Sequence, residues 1–528
     1  VALVGLPLAL LLACTGADPD FGPPGPDPRG TSSGSDGGAG APDGTNEGGD
    51  PPEETHTAPP ANGPASLRFH NQELRDGFAE GRVRIGRAAD ESDVTEYVLY
   101  WGTSADLKAP GDPIAVLPRG PEEHVFVLAP GTPIPPGATH LIAFTRNTKG
   151  EGPHVSASLA NVPQLVDVFT SLSADAGHPL QLHRIRTLVD AERERLLVVG
   201  EARTPDENGM GTLVCKLDAT ACTFNWACIG DDCALEPSHA IDHLNDKLLI
   251  AADSEEAEGL AGWVCARDGT ACQMSDLPAL GFPRRAPWVF FRPETNDVVL
   301  LYVSNDNAGG VNRLYATMCS AEFSRCPTKN VDLNPLGGGV GDVTGAVRLP
   351  DGRFAVATTL LASQRALGLT VTDGTPAGTL SRFVSSPVGS GVNPSMALDT
   401  KNERLVIVST NEANENRLYL TLCPVAGTTC TSVDIGAGAP ASSGHSPSVV
   451  IDYENDKILV VSKSDAGGGV PRLTRCNLDG TACTTRAFSA GIGEVVYELN
   501  AAIDTVGGYL LTAVVYGDNK VAVIRWGL

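Results

Sequence analysis

The sequence predicts an all-β protein, and three observations do so. A unit of about 50 residues recurs along the last two thirds of the chain, most copies opening on an apolar strand that ends in an aspartate. The 528 residues include 59 Gly and 39 Pro with few sustained helical patterns, a composition suited to many turns. Five cysteine pairs share one spacing, as in Cys476-Asn-Leu-Asp-Gly-Thr-Ala-Cys483, and fall within successive copies of the unit. Several short strands per unit, repeated in this way, are the signature of β-propeller blades. A chain of this length exceeds one ordinary core and divides into two or three folded parts.

Residues 1–14 read as a signal segment. Val1–Ala13 is apolar but too short to span a bilayer comfortably. Leu11-Leu12-Ala13-Cys14 resembles the lipobox of bacterial lipoproteins, which implies lipidation of Cys14 and anchoring in a membrane. Thr15, rather than Asp, after that cysteine implies the outer membrane or cell surface. Residues 15–64 read as a disordered acidic tether, since Gly and Pro fill 23 of its 50 positions and little apolar surface is available to offset ordering.

Residues 65–161 predict a small β-sandwich. Arg82–Ile85, Thr95–Trp101, Val125–Leu128 and Thr139–Thr145 are short alternating strands separated by Gly and Pro turns. Tyr97-Val98-Leu99-Tyr100-Trp101 and the stretch from His140 to Gly152 are similar to the third and sixth strands of fibronectin type III domains, with Trp101 as a core aromatic.

Residues 162–528 predict the propeller. Its first strands end at Asp190, Asp242, Asp399, Asp452 and Asp504, with Arg292 and Pro350 in the equivalent place of two further copies, giving seven units. The last unit supplies only three strands. Gln164–Thr170 matches a fourth strand and is expected to complete that blade, closing the ring and removing free edges.

The thirteen cysteines bound the compartment. Apart from Cys14 they form six close pairs: Cys215/Cys222, Cys228/Cys233, Cys265/Cys272, Cys319/Cys326, Cys423/Cys430 and Cys476/Cys483. Paired usage indicates an oxidising, exported environment. In the fourth unit the Asp373-Gly374-Thr375 turn aligns Thr370 and Ala377 with the cysteines, so both partners are replaced together. That turn shares its position with the Asp-box of sialidases, but not the Asp-box pattern.

For function, a net charge of −25 excludes a nucleic-acid partner, because no basic stripe is available to neutralise phosphates. The loops between second and third strands are polar and acidic and form the candidate ligand face, with Asp206, Glu207, Asp253, Glu255, Asp306, Glu412, Asp465 and Asp518. No loop has the spacing of a calcium site, so no metal or cofactor is assigned, with Ca²⁺ the ion such carboxylates would suit. His183 and His445 lie seven residues before Asp190 and Asp452. Ser238 and His239 alternate on one strand and cannot form a triad. No nucleophile elbow, P-loop or HExxH motif occurs. The layout resembles predicted surface lipoproteins of the myxobacterial type, which bring no assigned activity. A binding or scaffolding module for a protein or glycan follows; an extracellular glycan hydrolase or lyase, or a purely structural surface component, are the alternatives.

Overall fold

A computed structural model describes residues 56–528 except 74, 161–163, 167–180, 204–207, 219–220, 231–234, 255–258, 278–283, 307–310, 327–330, 334–338, 376–377, 385–386, 388, 426–428, 437–443, 465–468, 488–495, 506 and 518–519. Cys14 and most of the tether therefore lie outside the described residues, as does Cys233. Among the described residues the fold is all-β and antiparallel, with two 3-10 turns, Leu361–Ser363 and Glu412–Asn414, and no α-helix.

The N-terminal part is a sandwich. Ser66–Phe69, Phe78–Gly86 and His124–Pro133 form one sheet. Ala115–Pro118, Glu96–Gly102, His140–Asn147 and Gly150–Ser158 form the other. Val83, Ile85, Tyr97, Leu99 and Leu141 fill the space between them, and Trp101 packs at the edge of this core. The sandwich begins earlier than composition suggests. Asn147 Nδ2 donates to Ala58 O at 2.9 Å, Thr145 Oγ1 to Asn62 O at 2.8 Å, and Ala61 N–H to Asp93 Oδ2 at 2.8 Å. Residues 58–62, assigned to the tether for their Gly and Pro content, are held by side chains that composition does not weigh.

Seven four-stranded meanders follow among the described residues. Their inner strands are Gln181–Asp190, Leu235–Asp242, Arg284–Arg292, Val340–Arg348, Val392–Asp399, His445–Asp452 and Val496–Asp504, in sheets one to seven. Gln164–Val166 pairs with Lys520–Gly527 as the fourth strand of sheet seven, so chain upstream of the first sheet completes the last. Each junction between neighbouring sheets has its own apolar cluster. Leu196, Val198 and Leu213 of sheet one meet Leu511, Val515 and Val523 of sheet seven, which closes the cycle. Burying such side chains supplies about 1.5–3 kcal/mol each, the main driving force for stacking sheets that have no strand pairing with one another among the described residues. Sheets of this kind around a central cavity make a propeller-like arrangement.

The repeated aspartate shapes the hairpin between first and second strands. Asp242 Oδ1 accepts from Leu244 and Asn245 N–H, each at 2.9 Å, and Asn245 Nδ2 donates to Oδ2 at 2.7 Å. Asp399 with Asn402 and Asp452 with Asn455 repeat the pattern. The residue before the second strand is left-handed in six sheets, Glu194, Asp246, Asn296, Glu403, Asp456 and Gly508, and in sheet four Gly352, two residues before Phe354, is left-handed instead. In sheet three Arg292 takes the aspartate's place and pairs across the strands with Asp297, reversing the charges of the Asp399–Arg404 pair. In sheet four the equivalent residue is Leu349, not Pro350. Arg348 pairs with Phe354, and Leu349 N–H donates to Arg353 O at 2.7 Å, so the hairpin is one residue shorter than in the other sheets.

Five disulfides staple the third and fourth strands: Cys215–Cys222, Cys265–Cys272, Cys319–Cys326, Cys423–Cys430 and Cys476–Cys483, with Cα separations of 3.9–4.3 Å. Cys228 is also disulfide-bonded. The fourth sheet corrects the alignment made through its Asp-Gly-Thr turn. Phe354 faces Thr372, as Leu405 faces Cys423, so Thr372 and Thr379 stand where the cysteines would be, and Thr370 and Ala377 do not. Their hydroxyls are hydrogen-bonded at 2.7 Å. The turn itself keeps its geometry, with Thr375 N–H on Asp373 Oδ1 at 2.8 Å as Thr481 N–H is on Asp479 Oδ1 at 3.0 Å. It has slid two residues along the hairpin, which leaves every side chain on its original face.

His56–Leu528 forms one compact unit, because the sandwich docks on sheets six and seven. Arg475 Nη1 donates to Gln72 O at 2.6 Å and Glu80 Oε2 at 3.0 Å, while Nη2 donates to Gln72 Oε1 at 2.6 Å and Glu80 Oε1 at 3.1 Å. Arg475 is 7% exposed and Glu80 9%. Arg525 lies 3.3 Å from the Tyr509 ring centroid, and His70 packs edge-on to the same ring at 4.7 Å. Other sheets carry Val214, Val264, Met318, Val371 and Leu422 at the position of Arg475 and Arg525. The repeat turns basic in the two sheets that meet the sandwich.

Candidate ligand site in the central channel

All seven inner strands lose register with their second strands near their start. Such bulges re-aim side chains and concentrate beside functional sites. Arg184, Glu236, Asn393 and Ser446, each six residues before the aspartate of its strand, adopt φ of 46–54°. A non-glycine residue in this region costs roughly 1–2 kcal/mol. All four line a central cavity of 760 Å³, to which each of the seven inner strands contributes. That size falls within the roughly 300–1,000 Å³ of small-molecule sites.

The cavity wall is asymmetric. At the position four residues before the strand-ending residue, Ser238, Ser395 and Ser448 each accept a hydrogen bond from the next sheet, from Val289, Val449 and Ala501 N–H at 3.1–3.3 Å. Asn500 does the same across the closing junction, taking Thr187 N–H at 3.1 Å. Arg186 and Trp288 replace this bridging residue in sheets one and three, and the Arg186 guanidinium stands 4.5 Å from the Trp288 ring centroid. Trp288 and Phe290 lie nearly parallel, 6.2 Å apart.

Charges gather on the same side. Arg184 faces Glu236 at 3.4 Å and Glu201 at 3.9 Å. Glu498, from sheet seven, accepts from Ile185 N–H at 3.3 Å. Burial pushes its carboxyl above the usual range, against the pull of that hydrogen bond and of nearby positive charge. Burial also brings Arg186 down to about 10, with Glu236 and Glu498 opposing the fall. His239 is held down to about 3, by burial first and Arg186 second, so its imidazole is neutral at physiological pH. Both its ring nitrogens are buried without a hydrogen-bond partner. Arg348 completes the basic lining and is paired with Glu294.

The ends of second strands pair with the starts of inner strands, so the strand ends that precede the acidic segments lie where the bulges are. The loop residues themselves are not brought together among the described residues. Glu412 sits in a 3-10 turn paired with Arg365. Asp253 is half-buried opposite Leu260. Asp306 ends the strand Asp297–Asp306, its side chain outside the described residues. Asp206, Glu207, Glu255, Asp465 and Asp518 lie outside the described residues. Among the described residues no group of three His, Cys, Asp or Glu is placed to hold a metal ion. His183 lies near Glu498, and Ser238 Oγ is engaged by Val289 N–H. Sequence reasoning missed Arg184, Arg186, Glu236, Trp288 and Glu498, and weighed His239 only as a triad partner of Ser238. Their signal was present: at fixed offsets from the strand-ending residue they depart from what the other copies carry.

No known protein family matches the chain, and no curated protein does. Among solved structures, a protein of unknown function from Dyadobacter fermentans is similar over 58% of this chain and 95% of its own, at 9% identity and a TM-score of 0.42. The Dos1 propeller is similar over 62% of this chain and 75% of its own, at 9% identity and 0.41. A mutant Trypanosoma rangeli sialidase displaying trans-sialidase activity is similar over 70% of this chain and 59% of its own, at 14% identity and 0.38. Identities this low attach no activity to the chain.

Proposed function

We propose that this chain is an exported surface protein, lipid-anchored through Cys14, that binds a protein or glycan ligand in the channel of a seven-bladed propeller. A fibronectin type III-like sandwich precedes the propeller. The single observation that carries the binding reading is the break in the repeat, where Arg184, Arg186, Glu236, His239, Trp288 and Glu498 stand on one side of the cavity. The five disulfides support export to an oxidising compartment. Among the described residues no helix is long and apolar enough to cross a membrane.

The test is thermal. Fractions of cell-envelope extract are screened for a component that raises the unfolding midpoint of the full chain. It should have no effect on the Arg186→Gln, Glu236→Gln double variant. A component that stabilises both equally sinks the channel as the binding site.

An enzymatic reading has one observation in its favour. Glu498, a buried carboxyl held above its ordinary value, has the character of a general acid, and Glu236 shares its cavity. Glycan hydrolysis lost in Glu498→Gln with binding retained would establish that reading; absence of turnover on bound glycan removes it.

A further inference from the structure

The ligand reading can be carried to a chemical class. We infer that the channel wall of sheets seven, one, two and three takes a neutral sugar, packed on Trp288 and hydrogen-bonded by His239. This rests on the channel being a binding site, and three features of the wall select the ligand.

The first is charge balance. Arg184 already faces Glu236, and Arg186 feels the charges of both Glu236 and Glu498. An anion placed here meets two carboxyl groups beside the arginines, and a cation meets two guanidinium groups beside the carboxylates. A neutral polyol meets donors and acceptors of both kinds without a like charge.

The second is His239. The other sheets carry Thr187, Val289, Ala346, Met396, Val449 and Ala501 at this position, and the last five are buried apolar residues in the wall between sheets. A histidine there replaces packing surface with a polar ring whose two nitrogens have no partner in the protein. Buried polar groups are almost always paired, and one that is not calls for a partner from outside. A neutral imidazole offers one donor and one acceptor. Adjacent hydroxyls of a sugar ring supply the matching acceptor and donor.

The third is the aromatic surface. Trp288 stands where Ser238, Ser395 and Ser448 bridge to the next sheet, so sheet three gives up that hydrogen bond for an indole. With the nearly parallel Phe290 ring it gives the cavity a flat aromatic surface, shared with the Arg186 guanidinium 4.5 Å from the Trp288 centroid. The C–H face of a pyranose is the apolar side of an otherwise polar molecule and fits such a wall. Asn393 and Ser446, from sheets five and six, line the same cavity with neutral hydrogen-bonding groups.

The experiment is saturation-transfer NMR on the full chain. The probes are methyl glycosides of glucose, galactose, mannose and N-acetylglucosamine, together with cellotetraose and chitotetraose; tryptic peptides of casein form a separate arm. At least one sugar should receive saturation on its ring protons. Trp288→Ala and His239→Val should each weaken that binding roughly ten-fold or more, as for other buried anchors. His239→Gln, which keeps a donor and an acceptor, should retain more of it. Valine is the residue that two other sheets carry at this position, so H239V is expected to fold; intact disulfides and unchanged circular dichroism check that. A sugar panel that stays silent overturns the inference. So does sugar binding that neither variant alters. Casein peptides that bind and are lost in both variants leave the channel as the site but remove the sugar. Silence in both arms removes both readings.

Discussion

Asp242 and His239 lie three residues apart on one strand and show two kinds of residue in a repeat. Asp242 recurs because the hairpin after it needs its carboxylate to take two backbone N–H groups and the Asn245 amide. His239 does not recur, and nothing in the fold needs it. Leaving a buried polar group unpaired costs about 1–3 kcal/mol. His239→Val should therefore raise the free energy of unfolding by about that amount at pH 7, read from urea denaturation. The pH dependence has a definite sign. The unfolded histidine takes up a proton near pH 6.5 while the folded one resists down to about 3, so the native protein loses stability as pH falls through this window. H239V lacks that loss, and its advantage should widen between pH 6.5 and pH 4. An advantage that is absent at pH 7 and constant with pH would show that His239 is partnered in solution.

At the scale of the element, the hairpin between third and fourth strands tolerates two chemistries at one place. Five sheets use a disulfide, and the fourth uses the Thr372–Thr379 hydroxyl pair. Thr372→Cys combined with Thr379→Cys should form a further bridge on air oxidation, seen as a loss of two mass units and of both free thiols. For so small a loop the gain is at most about 2.5 kcal/mol. Failure to oxidise would mean that the strands are not in the register that sets Phe354 opposite Thr372. The two-residue slide of the Asp373 turn explains why the sequence points to Thr370 and Ala377: a local motif and a strand register are independent. The inner-strand bulges were equally illegible, since Arg184 and Glu236 carry no glycine or asparagine signature for positive φ. The strands, the five repeated cysteine pairs and the closing strand, expected over Gln164–Thr170 and described over Gln164–Val166, were legible because each repeats a pattern found elsewhere in the chain. Residues such as Arg186 and Trp288 were not, because a search for repeats keeps what copies share and discards where they differ.

At the scale of the whole molecule, the sandwich is not a bead on a string. Arg475 and Glu80 form a buried ion pair completed by Gln72, with Lys457 at 3.4 Å from Glu80, and Arg84 reaches Glu454 nearby. Breaking one side of such a pair costs about 3–5 kcal/mol because the other charge stays buried. Arg475→Ala should loosen the sandwich from sheets six and seven, increase the radius of gyration in X-ray scattering and speed proteolysis after residue 160. Unchanged scattering and cleavage would show that the apolar contacts around His70 and Tyr509 suffice alone.

The measurement that bears on this most directly is a crystal structure of the full chain grown with the sugar found to bind best. The account predicts seven four-stranded blades, the last completed by Gln164–Val166, and a sugar ring lying on Trp288 within hydrogen-bond distance of His239. A different number of blades, or a channel that excludes the sugar while His239 is paired with the protein's own groups, would contradict it.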